Sequence, residues 1–168
     1  MLKKNLFLIG YMGAGKSTIA QKLSGLLSAP LVEMDETIVR QQGMTINEIF
    51  EKYGEQSFRD MESRLIMDLG KGERSVISCG GGAVLRPENV ENMKRSGMVI
   101  YLTAKPETIL ERVRFSTDRP LLNGHMNVEY ISEMMDRRIP LYEAACDHRI
   151  ATDGRSTDEI CRDIMNLL

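Results

Sequence analysis

The sequence has no hydrophobic run long enough to cross a bilayer and no marked excess of either charge. Its longest apolar stretches, such as MVIYL at 98–102, fall far short of the about 20 residues of a transmembrane helix. The formal net charge of the 168 residues is −2, so the chain has no general attraction for nucleic acid or an anionic membrane. We expect neither as a partner, and any anion site must be local.

Cysteine is also scarce. The three cysteines, Cys79, Cys146 and Cys161, contain no CxxC spacing, which predicts reduced thiols and a cytoplasmic location. The basic start MLKK leads through a short apolar run into a glycine loop and not into a small-residue cleavage site. This pattern predicts a strand and no signal peptide.

The composition is that of an ordinary globular chain, with 42% hydrophobic and 27% charged residues. No repeat, low-complexity tract or linker-like stretch interrupts it. A chain of this length and composition predicts a single domain over 1–168.

Apolar segments of strand length alternate with helical patterns. The segments are 6–10, 30–35, 75–79, 98–102 and 148–152. This alternation predicts an α/β fold with a five-stranded parallel sheet between two helical layers. Ligands in such folds bind beyond the carboxyl ends of the strands, so the loops that follow these segments should surround one site.

Helix signals lie between the strands. Thr45 and Glu48 predict a capping box, and Thr103 is expected to cap a helix with Pro106 in its first turn. The helix after the glycine loop should bury one apolar face. The residues of that face are Ile19, Ala20, Leu23, Leu26 and Leu27.

The strongest motif is GYMGAGKS at 10–17, which matches G-x-x-x-x-G-K-[ST] in full. Glycines let the backbone N–H groups turn toward phosphates, and the helix N-terminus adds a partial positive charge. Lys16 would reach the β- and γ-phosphates and Ser17 would bind Mg²⁺. The predicted nucleotide residues here are Gly13, Ala14, Gly15, Lys16, Ser17 and Thr18.

Other features narrow the class of phosphate-loop protein. The sequence has no N-K-x-D, which a guanine-reading GTPase would need, and no later strand ends in an Asp. Acids follow the second strand instead, as Glu33 and Asp35. That position favours a small kinase whose acid faces the acceptor hydroxyl.

Candidate acceptor residues follow. Gly80, Gly81 and Gly82 come directly after the third strand and could form a floor for a small ligand. The stretch GEQSFRDME supplies Arg59, with Glu62 one turn later, and DRRIPLY supplies Arg137 and Arg138. The segment 115–127 carries Arg119 and has no periodic pattern, which predicts a mobile lid. The alternative for the glycines is a tight turn, and the alternative for each arginine is a solvated surface charge. The presence of the glycines, the arginines and the acid after the second strand in one chain favours an acceptor site.

Taken together, these motifs resemble the shikimate kinase family almost from end to end. The matching stretches are GYMGAGKST, DETI at Asp35, GEQSFR with Glu62, GGGAV, RPLL at 119–122 and RIPLY at 138–142. The resemblance implies a nucleoside-monophosphate-kinase-like P-loop fold, with a lid at about 115–127 and an acceptor-binding helical region at about 36–70. It also implies ATP-dependent phosphorylation of the 3-hydroxyl of shikimate, a step toward chorismate and the aromatic amino acids.

The resemblance also implies residue roles. Asp35 would face the acceptor hydroxyl and act in catalysis with Lys16 and Arg119, the latter reaching the phosphates from the lid. Arg59 and Arg138 would bind the substrate carboxylate above the floor formed by Gly80, Gly81 and Gly82. Arg112 and the loop 152–155, which includes Arg155, would flank adenine.

One departure from the family pattern concerns the metal. The family usually has Asp-x-Asp after the second strand, whereas this chain has Glu33-Met34-Asp35. Ser17 would hold Mg²⁺ directly, and Glu33 would hold it through a water. A monomer is expected. The alternatives are another small hydroxy-acid kinase, such as a gluconate kinase, and a nucleotide-binding regulatory module without turnover.

Overall fold

The computed structural model describes residues 2–114 and 127–168, and strands from these residues form one parallel sheet. The strands are β1 (Asn5–Ile9), β2 (Leu31–Glu33), β3 (Val76–Ser78), β4 (Gly97–Thr103) and β5 (His148–Ala151). Their order across the sheet is β2-β3-β1-β4-β5. The predicted five-stranded parallel sheet is confirmed.

Helices connect the strands and cover the sheet in a three-layer α/β/α arrangement. They are α1 (Lys16–Leu27), α2 (Met34–Gln42), α3 (Ile46–Leu69), α4 (Pro87–Ser96), α5 (Pro106–Val113), α6 (Val128–Ala145) and α7 (Thr157–Met165), with a 3₁₀ turn at Ala83–Leu85. Of these, α4 was not predicted, because it buries only Asn89 and Met93 and so lacks an apolar stripe. No helix in the described part of the chain is both long and apolar enough for a bilayer crossing.

The central strand β1 carries the core. All five of its residues are buried, and Leu6, Phe7 and Leu8 are fully enclosed. A strand covered by helices on both faces reads as a continuous apolar run, which explains the pattern LFLI. Since β1 ends directly at the glycine loop, core packing fixes where that loop begins.

The expected helix caps at Thr45 and Thr103 have different outcomes. Thr45 caps α3 as predicted: its hydroxyl accepts from the Glu48 N–H at 3.2 Å, and the Glu48 carboxylate accepts from the Thr45 N–H at 2.7 Å. The predicted cap at Thr103 is wrong, because Thr103 ends β4 and its carbonyl accepts from the Thr152 N–H at 2.9 Å. Because Thr103 belongs to the sheet, α5 begins at Pro106, with Lys105 in the N-cap position.

The expected buried face of α1 is only partly correct. Ile19, Ala20 and Leu23 are buried, whereas Leu26 is 52% exposed. Leu26 lies at the edge of the apolar face, toward solvent.

Leu8 and Leu26 provide a matched test of the core. Leu8→Ala should lower the free energy of unfolding by about 2–5 kcal/mol, because it leaves a cavity at a fully buried site. Leu26→Ala should change it by less than about 0.5 kcal/mol. Urea unfolding followed by circular dichroism measures both, and equal losses would contradict the assigned core.

Candidate active site

A cavity of about 940 Å³ lies at the carboxyl ends of the strands. It brings together the glycine loop, Glu33 at the end of β2, Asp35 of α2 and the first glycines after β3. The predicted site residues that line it are Gly13, Gly15, Lys16, Ser17, Thr18, Glu33, Asp35, Gly80, Gly81 and Arg112. The expectation that all five loops surround one site is therefore met only in part, because none of the described lining residues comes from the loops that follow β4 and β5, and the predicted residues Arg59, Gly82 and Arg138 do not line the cavity. Ala14 is buried in the core instead.

The glycine loop is already shaped around the Lys16 ammonium. Gly13 and Gly15 have φ values of 79° and 96°, a region that favours glycine. The Nζ of Lys16 donates to the carbonyl of Gly10 at 2.6 Å and to that of Tyr11 at 3.0 Å. These bonds keep a positive charge inside the loop, beside the N-terminus of α1.

Three oxygen-bearing side chains meet below this loop. The Ser17 hydroxyl donates to Glu33 Oε2 at 3.0 Å and lies 3.4 Å from the Ser78 hydroxyl. Glu33 and Ser78 face each other because β2 and β3 pair in register at these residues. Burial raises the pKa of Glu33, and hydrogen bonds from Ser17 and Ser78 oppose the rise.

Oxygen ligands of this kind suit Mg²⁺. Among residues 2–114 and 127–168, no group of three or more His, Cys, Asp or Glu could hold a metal ion. A metal at this place would therefore depend on hydroxyl and phosphate oxygens as well as on Glu33.

Asp35 lies in α2 and not in a strand. The second strand was predicted to run to residue 35, but it ends at Glu33, and Asp35 lies in the first turn of the helix. Its Oδ1 is buried and has no hydrogen-bond partner among the described residues. A Cβ added to Gly80 would lie 2.9 Å from this oxygen and 2.5 Å from Glu62 Oε1. Both carboxylates therefore converge on the space above Gly80.

Arg59 is held in a buried ion pair. Its NH1 donates to Glu62 Oε2 at 2.7 Å, and its NH2 donates to Glu55 at 3.1 Å. Burial opposes ionisation, but the Glu62 charge prevails and the pKa of Arg59 is raised. A Cβ on Gly82 would overlap the guanidinium. Arg59 follows a kink in α3 at Gly54, where φ is 81°.

Arg138 reaches the same floor from α6. It is 6% exposed, and its guanidinium carbon lies 5.7 Å from the centre of the Tyr11 ring. Its NH1 would be 3.5 Å from a Cβ on Gly81. The neighbouring Arg137 instead pairs with Glu133 on the surface, so the alternative of a solvated charge applies to Arg137.

The predicted adenine residues are only partly brought together. The NH1 of Arg112 donates to the Gly13 carbonyl at 3.0 Å and to the Thr152 hydroxyl at 3.2 Å. Arg155 bonds to Ala151 and Asp163 and does not line the cavity. Arg119, with the predicted lid apart from Asn127, lies outside the described residues.

Sequence reasoning missed several lining residues. Ser78 is the most informative of these, because it ends β3, the position where many phosphate-loop proteins have a metal-binding Asp. The pairing of β2 with β3 was the missing information, because register cannot be read from either segment alone. Met12 and Cys79 were also missed. The remaining lining residues were not named individually but lie in the predicted acceptor-binding region; they are Glu36, Val39, Arg40, Thr45, Ile46 and Asn47.

The fold and the site define a P-loop kinase. Residues 12–168 match the family model described as shikimate kinase. The chain is 39% identical over 166 residues to the shikimate kinase of Dehalococcoides mccartyi, covering 99% of this chain and 94% of that protein. It is 41% identical over 162 residues to that of Thermodesulfovibrio yellowstonii, covering 96% and 93%. The chain belongs to the shikimate kinase family.

Solved structures agree with this assignment. The shikimate kinase from Acinetobacter baumannii in complex with shikimate superposes with a TM-score of 0.93 at 34% identity, covering 98% of this chain and 92% of that one. A gluconokinase from Sinorhizobium meliloti has a TM-score of 0.57 at 18% identity, over 97% and 90% of the two chains. The latter likeness shows a shared fold alone.

Glu62 provides a test of the buried ion pair. Glu62→Gln should lower the free energy of unfolding by about 3 kcal/mol, because it removes the fully buried carboxylate and leaves Arg59 with the exposed Glu55 carboxylate as its counter-ion. Glu91→Gln removes a carboxylate from an exposed pair with Arg95 and should have no measurable effect. Chemical denaturation measures both, and a Glu62→Gln protein as stable as the parent would contradict the assigned pair.

Proposed function

We propose that this protein transfers the γ-phosphoryl group of ATP to the 3-hydroxyl of shikimate, giving shikimate 3-phosphate. The observation that carries the proposal is a floor of three glycines, each facing at least one functional side chain beside the phosphate loop. The pairs are Asp35 at Gly80, Arg138 at Gly81 and Arg59 at Gly82. One acid and two guanidinium groups suit an acceptor that carries both a hydroxyl and a carboxylate.

The acceptor carboxylate would bind to Arg59 and Arg138. A guanidinium offers parallel N–H donors that match two carboxylate oxygens. Both arginines are buried, so their charges are screened less by water and salt than surface charges are. The net charge of −2 gives an acidic substrate no general attraction, and these local cations would supply it.

Asp35 would act on the acceptor hydroxyl. Its Oδ1, which has no partner in the described ranges 2–114 and 127–168, can accept the hydroxyl proton while the hydroxyl oxygen attacks the γ-phosphorus. The bond from that phosphorus to the β–γ bridging oxygen breaks, ADP leaves, and the proton passes from Asp35 to solvent. In a loose phosphoryl-transfer transition state, orienting the hydroxyl counts for as much as removing its proton.

The nucleotide would lie on the glycine loop, with Lys16 at the β- and γ-phosphates and Arg112 flanking adenine. We also propose Mg²⁺ at Ser17 and Glu33, where it would neutralise charge on the phosphate oxygens. The 3.0 Å contact between these two side chains supports the pairing. Phosphate contact by Arg119 and the adenine role of Arg155 stay predictions from the sequence.

We further propose a single-domain, monomeric cytoplasmic enzyme. Free thiols at Cys79, Cys146 and Cys161 support a reducing compartment. The described residues share one hydrophobic core, which supports a single domain. Size-exclusion chromatography with light scattering measures the oligomeric state.

The direct test is ADP release measured with shikimate, with gluconate and without an acceptor. We expect turnover with shikimate and ATP–Mg²⁺, and only background release in the other two reactions. Faster turnover with gluconate would transfer the assignment to another hydroxy-acid kinase. Nucleotide binding without any acceptor-dependent turnover would favour a regulatory module.

Asp35→Asn should lower kcat by about 10²–10⁴-fold, the range for a positioned general base. The dissociation constant of ATP should stay within about twofold, because Asp35 belongs to the acceptor side. Asp68→Asn, an exposed change at the end of α3, controls for loss of an acidic charge. A kcat for Asp35→Asn close to that of the control would exclude the assigned base.

Glu33→Gln should raise the Mg²⁺ concentration needed for half-maximal ADP binding by about 10-fold, a usual effect of losing a group that orients metal ligands. Isothermal titration calorimetry at several Mg²⁺ concentrations measures this without turnover. Glu73→Gln, an exposed change before β3, is the charge control. If Glu33→Gln and Glu73→Gln give the same Mg²⁺ dependence, Glu33 has no part in metal binding.

A further inference from the structure

Tyr142 connects two parts of the candidate site that are far apart in the sequence. It lies one helical turn after Arg138 on α6 and is 1% exposed. Its hydroxyl donates to the carbonyl of Gly81, 61 residues away. Its ring stacks on Tyr101 of β4, with the ring centres 5.0 Å apart and the planes at 26°. The stack fixes the ring, and the hydroxyl end reaches the glycine floor.

The hydrogen bond to Gly81 controls the orientation of a peptide group. A peptide unit is planar and trans, so its C=O and the following N–H point in opposite directions. A Gly81 carbonyl held toward Tyr142 therefore turns the N–H of Gly82 away from Tyr142. Glycine has no side chain to limit rotation of this peptide, so the phenol supplies the restraint that a side chain would give elsewhere.

The same hydroxyl lies beside Arg138. Burial raises the pKa of Tyr142, and the positive charge of Arg138 opposes the rise. The phenol is therefore neutral at physiological pH. While its proton goes to Gly81, its oxygen lone pairs remain available to the guanidinium. With the Tyr11 ring on one side, Arg138 lies between an aromatic face and a phenol oxygen.

A packing role alone does not require this hydroxyl. Phenylalanine would stack on Tyr101 equally well, and a buried hydroxyl is costly unless it is hydrogen-bonded. Stacking therefore does not explain why a hydroxyl lies beside both Gly81 and Arg138.

We propose that Tyr142 is a positioning residue: its hydroxyl holds Arg138 and the Gly81 peptide in the relative placement that binds the acceptor carboxylate. The inference rests on the proposed function, because it takes the ligand of Arg138 to be that carboxylate. Tyr142 itself does not touch the reacting atoms. It acts through Arg138 and the floor, so it sets acceptor affinity and leaves the phosphoryl-transfer step unchanged.

The test compares Tyr142→Phe with Tyr101→Phe, which removes a hydroxyl from the other ring of the same stack. Tyr142→Phe should raise KM for shikimate about 3- to 10-fold, the range for one lost hydrogen bond. Its kcat and its KM for ATP should stay within about twofold. Tyr101→Phe should leave all three constants within about twofold of the parent. Circular dichroism confirms that each variant is folded.

A double-mutant cycle shows whether Tyr142 acts through Arg138. In an Arg138→Lys background, which has lost the planar fork, adding Tyr142→Phe should raise KM for shikimate by less than about twofold, because coupled residues are not additive. The same 3- to 10-fold rise in both backgrounds would overturn the proposal. An unchanged KM in Tyr142→Phe, or a parallel loss in kcat and in ATP affinity, would also overturn it.

Two further comparisons separate failure of this inference from failure of the proposed function and from failure of a variant to fold. If the unaltered protein does not phosphorylate shikimate, the proposed function fails; if it does and Tyr142→Phe behaves like the parent, only the present inference fails.

If Tyr142→Phe does not fold, tyrosine ζ-¹³C NMR of the unaltered protein replaces it, with Tyr142 assigned by elimination. Shikimate should shift the Tyr142 signal and leave that of Tyr53, an exposed residue of α3, in place. An unmoved Tyr142 signal contradicts the proposal.

Discussion

The chain that follows β3 has no side chains at Gly80, Gly81 and Gly82, and the arrangement of the site depends on that gap. A Cβ on Gly80 would meet the carboxylates of Asp35 and Glu62, and a Cβ on Gly82 would meet the guanidinium of Arg59. These charged groups come from α2 and α3, which no local sequence signal connects to β3. They can approach the backbone this closely because Gly80 and Gly82 carry no Cβ. The glycines thus serve close approach more than turn formation, since neither Gly80 nor Gly82 has a positive φ.

Charge in the site is balanced locally rather than by the whole molecule. The Arg59–Glu62 pair is buried, which fixes the guanidinium while its Nε has no partner among the described residues. On the side proposed for the nucleotide, Lys16 is bound to carbonyls of its own loop, which keeps its charge beside the N-terminus of α1. In the proposed function, Lys16 would meet the nucleotide, and Arg59 would meet the acceptor. Such a separation would let a chain of net charge −2 bind two anionic substrates.

Local signals allowed much of this arrangement to be predicted. The loop around Lys16 is contiguous in sequence, and the cap at Thr45 depends on a residue three positions away, so both could be read directly. Contacts that depend on register or on distant pairing could not. Ser78 meets Glu33 only through the pairing of β2 with β3, and Tyr142 meets Gly81 across 61 residues. Thr103 shows the opposite case: threonine is a good capping residue, but Thr103 ends β4, accepts a hydrogen bond from Thr152 and does not cap a helix. The roles assigned to the site residues stay predictions.

The central claim is that the empty space at the floor is needed to hold Arg59 for the acceptor. Gly82→Ala tests it most directly, because the φ of −98° at Gly82 is open to alanine and the guanidinium is the obstacle. Calorimetric titration should show shikimate affinity reduced by about 10-fold or more, as expected when a charged partner is displaced, with ADP affinity within about twofold of the parent. Unchanged shikimate affinity in a folded Gly82→Ala protein would contradict the account.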